Sequence, residues 1–169
     1  MSDPDPVLPA GRWATARPWV STVVRLALAV VSLWAGLAKA GDLAASVRAV
    51  RAFELLPEAL ARPVGYGLPA VEIVVGVLLL LGLVTRYAAA IMGLLMLAFI
   101  VGIASAWARG LSIDCGCFGG GGATSPDLTQ YPWEITRDLA IAAGAALLVR
   151  WPYSRFSLDQ TLGLTRAAQ

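Results

Sequence analysis

The chain has 169 residues, of which 58% are hydrophobic and 14% charged. Soluble domains carry about 25% charged residues, so an ordinary soluble fold is excluded, and disorder is excluded with it because disordered chains are poor in apolar residues. The length suits one domain. A net charge of +2 from 13 cationic and 11 anionic side chains leaves no polybasic footprint for nucleic acid. The sequence contains no histidine, which removes His-based catalysis, His ligation of haem and zinc sites built from Cys and His. An integral membrane protein with two cysteines remains.

Residues 1–18 are rich in proline and short of apolar side chains, and read as a disordered tail. A cleaved signal peptide is disfavoured, because the apolar run that follows is longer than the roughly 7–15 residues of a signal core. A membrane span needs about 20 mostly apolar residues. Residues 19–38 meet this with Arg25 as their only charge, expected to snorkel to the interface. Residues 43–56 read as a short amphipathic interfacial helix that ends before Pro57 and places Leu43, Val47 and Val50 on one face. A second span covers 63–84 with Glu72 as its only charge, and a third covers 87–108 with none. The fourth, about 132–151, is weaker. Its uncharged stretch, 139–149, gives only about 16 Å of helix, which sets Glu134, Arg137 and Asp138 near the interface. Residues 152–169 form a polar, peripheral tail.

The expected fold is therefore all-α, a polytopic membrane four-helix bundle with a short interfacial helix between spans 1 and 2. Trp19, Tyr66, Tyr87, Trp107, Tyr131, Trp133 and Trp151 fall at span boundaries, where amphipathic rings suit the headgroup layer. Small residues four apart, such as Ala89 with Gly93 and Ala140 with Gly144, favour close helix approach. Four spans put both termini on one side. The cations divide almost evenly between the two sides, so the positive-inside rule does not orient the chain.

The loop 109–131 holds both cysteines, in Asp114-Cys115-Gly116-Cys117-Phe118-Gly119, followed by three further glycines. In an extended or turning backbone, residues i and i+2 point the same way, and Gly116 opens turns closed to other residues. The two sulfurs can meet. A ring this small gains little by restricting the unfolded chain, and strained, exposed disulfides are the labile ones. That suits a pair that cycles, outside the cytoplasm. A static disulfide or idle thiols, and a flexible linker, are the competing readings. A metal site is a third, needing a second chain or Asp114 to complete its ligands. The carboxylate of Asp114 opposes a thiolate on its neighbour, so Cys117 is the expected attacking thiol.

Glu72 is the second informative residue, since an ionisable group inside a span is costly and marks function by default. It lies about 10 Å along its helix from the end that faces the cysteine loop, the end where Lys39, Arg137 and Asp138 also fall. It is a candidate proton acceptor. The alternative is an ion-pair anchor to Lys39 or Arg137.

Gly36-Leu37-Ala38-Lys39, and Leu68-Pro69-Ala70-Val71-Glu72 through Gly76 to Leu83-Val84-Thr85-Arg86, resemble the DoxX-like membrane proteins. The Cys115-to-Gly119 segment and Leu55-Leu56-Pro57 resemble the MauE branch of the MauE/DoxX redox-associated family, and the likeness extends over about 20–155. It implies a DoxX-like bundle in the bacterial plasma membrane, with cytoplasmic termini and the cysteine loop outside. It also implies thiol–disulfide exchange through Cys115 and Cys117 with an extracytoplasmic thioredoxin-like partner, linked to methylamine dehydrogenase maturation. By analogy with quinone-linked thiol oxidases, a membrane quinone is expected near Glu72, Lys39 and Arg137. The segment 154–159 is similar to that of actinobacterial members, many without an obvious methylamine pathway, which leaves the substrate open. A non-catalytic membrane scaffold is the alternative function. A transporter is disfavoured, because the chain has no visible inverted repeat.

Overall fold

A computed structural model describes residues 12–162. The first eleven positions of the expected amino-terminal tail, and 163–169 of the carboxy-terminal one, lie outside the described residues. The first helix, α1, spans Arg12–Ala40, so helix replaces the expected tail from Arg12 onward. Pro18 lies inside it and does not end it. Its carbonyl accepts a hydrogen bond from Thr22 Oγ1 at 2.7 Å. The remaining helices are α2 (Leu43–Ala52), α3 (Glu58–Leu81), α4 (Thr85–Ala108), α5 (Tyr131–Arg150) and the single turn α6 (Leu158–Thr161). Two short strands, β1 (Ile113–Asp114) and β2 (Gly122–Ala123), pair antiparallel between α4 and α5.

Among the described residues, three helical segments are long and apolar enough to cross a membrane: Ala16–Ala40, Glu58–Leu81 and Thr85–Ala108. The chain is a multi-pass membrane protein. Helix α5 is 20 residues long but carries Glu134, Arg137 and Asp138 in its first half, too many charges for the same standard. It packs along α4, while α1 packs along α3, and contacts of α3 with α4 and of α1 with α5 complete the arrangement.

The exposure pattern of α1 is inverted relative to a soluble helix. Ser21, Arg25, Ser32 and Lys39 are buried, whereas Val23, Val30, Trp34 and Leu37 are exposed. The buried positions recur at the three- and four-residue spacing of one helix face. Polar groups turn inward because a bilayer offers them no partners, and apolar groups face outward because lipid accepts them. Backbones approach closely at Gly36 and Gly76. A Cβ on Gly36 would stand 2.7 Å from Ile73 Cγ1, and one on Gly76 would stand 2.7 Å from Leu33 Cγ. Gly93 and Gly144, singled out by spacing, meet only ordinary contacts.

Helix α2 starts at Asp42, whose Oδ1 accepts from the Ala45 N–H at 2.9 Å. It ends at Ala52, short of the expected Leu56, where the chain turns through Glu54 at φ 51°. It lies on α3 through Ser46, whose Oγ donates to the Gly65 carbonyl at 2.8 Å. Its buried face is Ala45, Ser46, Val47 and Ala49, and Leu43 is exposed.

Two expectations at the opposite end from the cysteines are corrected. Arg25 does not snorkel. It is buried and donates to the last carbonyls of α3, Leu79 at 2.6 Å and Leu80 at 2.8 Å, and more distantly to those of Arg155 and Phe156. The last carbonyls of a helix are open to donors from outside it; the Gly82 N–H also reaches that of Leu79, at 3.1 Å, and the guanidinium fork bonds several carbonyls at once. Nor is 152–162, the described part of the expected carboxy-terminal tail, peripheral. Ser154, Ser157 and Asp159 are buried, and both Asp159 oxygens accept from the first N–H groups of α4, at Val84 (2.7 Å) and Thr85 (2.9 Å).

Candidate functional site

The loop between α4 and α5 is held from both ends. Strand pairing sets Ile113 opposite Ala123 and Asp114 opposite Gly122. The Tyr131 hydroxyl accepts from the Ile113 N–H at 2.9 Å and donates to the Leu111 carbonyl at 2.5 Å. Tyr131 is buried, so it is a clamp on the loop and not the headgroup anchor its position suggested. The seven residues between the strands fold down onto α2. Gly116 has φ 66° and Gly121 has φ 96°, and a Cβ on Gly121 would lie 2.5 Å from the Ala49 Cβ. Only glycine allows both that conformation and that approach.

This turn brings the Cys115 and Cys117 sulfurs to 2.9 Å as free thiols. Both residues are only 7% exposed, whereas the sequence suggested an open pair. The Asp114 carboxylate that brackets them is engaged locally, with Oδ1 accepting from the Gly116 N–H at 3.0 Å. The hydrogen bond with Cys115, and then burial, push the Cys117 thiol far above the ordinary thiol range.

Beneath the pair, Lys39 Nζ donates to both Glu72 oxygens, at 2.7 and 2.9 Å, and to the Cys117 carbonyl at 2.5 Å. Glu72 is thus held as one half of an ion pair, with Lys39 bridging the spans to the cysteine turn. Both side chains are at most 4% exposed. Arg137 sits on the other flank. It bonds Asp138 Oδ1 at 2.9 Å, stacks over the Phe118 ring at 4.8 Å, and points Nη2 at Cys115 Sγ from 4.0 Å. Phe118 in turn meets Trp34 edge-on, with ring centroids 6.3 Å apart. Asp114, Cys115 and Glu134 bring two carboxylate oxygens and a thiol within 4.8 Å of one another, and Arg137 supplies positive charge beside them.

All five residues anticipated for the site, Lys39, Glu72, Cys115, Cys117 and Arg137, fall in this one cluster. The clamp made by Tyr131, the stacking of Phe118 and the hold of Asp138 on Arg137 were not anticipated from sequence. The tyrosine carried no signal beyond its place at the loop's end, because its partners are backbone groups. A narrow cavity runs beside Cys117, with Glu72, Met92, Met96, Phe99, Phe118 and Asp138 in its wall. Its room suits a water and not a ring, and Lys39 and Glu72 are already engaged with each other. The expected quinone therefore does not fit here, and no chemical step is assigned to it.

The family described as "Methylamine utilisation protein MauE" matches residues 17–151. A similar protein from Methylorubrum extorquens, "Methylamine utilization protein MauE", is 40% identical over 107 residues. That match covers 63% of this chain and 58% of the relative, so the chain spans little more than half the relative's length. No solved structure matches the chain. With four-fifths of its length inside the family match, Lys39, Glu72 and the Cys115–Cys117 turn included, the chain belongs to the MauE family.

Proposed function

We propose that this protein is a membrane thiol–disulfide relay linked to methylamine utilisation, in which Cys115 and Cys117 exchange disulfides with an extracytoplasmic thioredoxin-like protein. In this reading α5 is a fourth span, the bundle is DoxX-like in the bacterial plasma membrane, both termini are cytoplasmic, and the loop 109–131 faces outside. The observation that carries it is the 2.9 Å separation of two free sulfurs on a glycine turn. That spacing needs little movement to form or break a bond between them. Arg137, and Lys39 with Glu72, place charge at the base of the turn, and attack by a thiolate gives a mixed disulfide that the neighbouring thiol resolves. Maturation of a disulfide-rich dehydrogenase subunit is the corresponding task.

Labelling in intact cells with a membrane-impermeant thiol reagent, with and without mild reductant, tests this reading. Because both cysteines are buried, an Asp114→Cys reporter in a chain with serine at 115 and 117 reads the side of the membrane independently. Reporter labelling outside, together with reductant-dependent labelling of the native pair, is the expected result. A reporter reached only after permeabilisation would overturn the extracytoplasmic relay. The burial of both sulfurs favours one competitor, a non-catalytic membrane scaffold. That reading predicts full function after replacement of both cysteines by serine.

A further inference from the structure

The two sulfurs of the turn face different surroundings. Cys115 is grouped with Asp114, which is exposed, with Glu134, and with the partly exposed Arg137. Cys117 borders the cavity among the spans, next to Glu72, Met96 and Phe99, and Lys39 pins its carbonyl from below. Resting on the exchange reading above, we propose that Cys115 is the sulfur that forms the mixed disulfide with the partner protein, that Cys117 is the resolving sulfur, and that Arg137 is a positioning residue holding positive charge on Cys115.

The expectation from sequence was the reverse, because Asp114 opposes a thiolate on Cys115. That carboxylate, however, is exposed and satisfied by the Gly116 N–H, so water screens it. The Arg137 guanidinium is fixed by Asp138 and by the Phe118 ring, and cannot swing away without losing both contacts. The charged groups around the pair are Asp114 on β1, Glu134, Arg137 and Asp138 on α5, and Lys39 and Glu72 on α1 and α3. Lys39 and Glu72 neutralise each other on the Cys117 side, and Arg137 offsets the carboxylates on the Cys115 side.

The exchange balances without a further reactant. The Cys115 thiolate attacks one sulfur of a partner disulfide, and the second partner sulfur leaves as a thiolate. Cys117 then attacks Cys115 Sγ, closing the bond within the turn, while its proton passes to the departing sulfur and the first partner sulfur is released. The partner gains two electrons and the pair loses two. The same steps run backward oxidise a partner dithiol.

The test uses the full-length protein in lipid nanodiscs with 5,5′-dithiobis(2-nitrobenzoic acid) as the disulfide probe. Cys117→Ser, which retains Cys115, should react at least about tenfold faster near neutral pH than Cys115→Ser, the ratio of a one-unit difference in thiol acidity. In the Cys117→Ser background, Arg137→Gln should move the pH profile of the reaction upward by about one unit, and Arg137→Lys should restore part of the shift. Equal or inverted rates for the two single-cysteine chains would overturn the assignment of the sulfurs. An unmoved pH profile in Arg137→Gln would overturn the role of Arg137. Either result leaves the relay itself standing, because that fails by a different observation, retention of function by the double-serine chain.

Discussion

Replacing Lys39 with methionine leaves Glu72 facing the interior with no cation. At 2.7 Å, two unit charges attract by about 6 kcal/mol at an effective dielectric constant of about 20. Taking both ions out of solvent costs a comparable amount, so the intact pair contributes little net stability. Removing one member is different, because the other keeps its desolvation cost, and such losses run to about 3–5 kcal/mol. Lys39→Met also strips the donor from the Cys117 carbonyl, whereas Glu72→Met leaves that bond in place. The expected order of damage is Lys39→Met first, Glu72→Met second, and the double variant least. The double variant should lose only about 1–3 kcal/mol, the cost of the carbonyl left unpaired. Reversible unfolding in mixed detergent micelles, followed by tryptophan fluorescence, measures all three. Additivity of the two single losses within about 0.5 kcal/mol would show that the groups are independent and would refute the bridging role of Lys39.

Two further predictions concern helix ends. Asp159→Ala removes the acceptor for the Val84 and Thr85 N–H groups, and should cost about 1–2 kcal/mol in the same micelle assay, with Asp159→Asn recovering part of the loss. An unchanged unfolding midpoint would mean that the carboxy-terminal segment does not secure the start of α4. At α2, the Ala45 N–H holds the Asp42 carboxyl below the usual carboxylate range. A depressed acid contributes stability that is present above its unfolded pKa and is lost as pH falls through the lower, folded value. The protection factor of the α2 amides should therefore begin to fall once pH drops below the ordinary carboxylate pKa and level off only past the lower, folded value, and Asp42→Asn should remove that change. A protection factor in the native chain that does not change across that range would contradict the cap.

Much of the architecture was legible because hydropathy is a local property. Every run of about 20 apolar residues became a helix, and Glu72, the one charge inside the second run, pairs with Lys39, which lies just past the end of the first. Helix starts were less legible. Glu58 precedes the apolar run of α3 by several residues, and Arg12 precedes that of α1, because a helix continues past the bilayer wherever backbone bonds can still form. The glycines that matter for packing, Gly36 and Gly76, lay within the motifs that carried the family resemblance. The four-residue spacings picked out on α4 and α5 did not mark close approach.

Arg25, Tyr131 and Asp159 were misjudged for a common reason. Their partners are backbone atoms far away in sequence, 54 residues for Arg25 to Leu79, 18 for Tyr131 to Ile113 and 74 for Asp159 to Thr85. A backbone amide leaves no mark in residue identity. The sequence by itself determined that this is a membrane protein of apolar helices, with one cysteine turn and a few interior charges, because partition between water and lipid depends on side-chain chemistry alone. Only the tertiary structure decided which charges meet, and that both sulfurs are buried together above them. In an apolar interior each polar group must find a specific partner, and that choice is made by helix packing, which no single stretch of chain encodes.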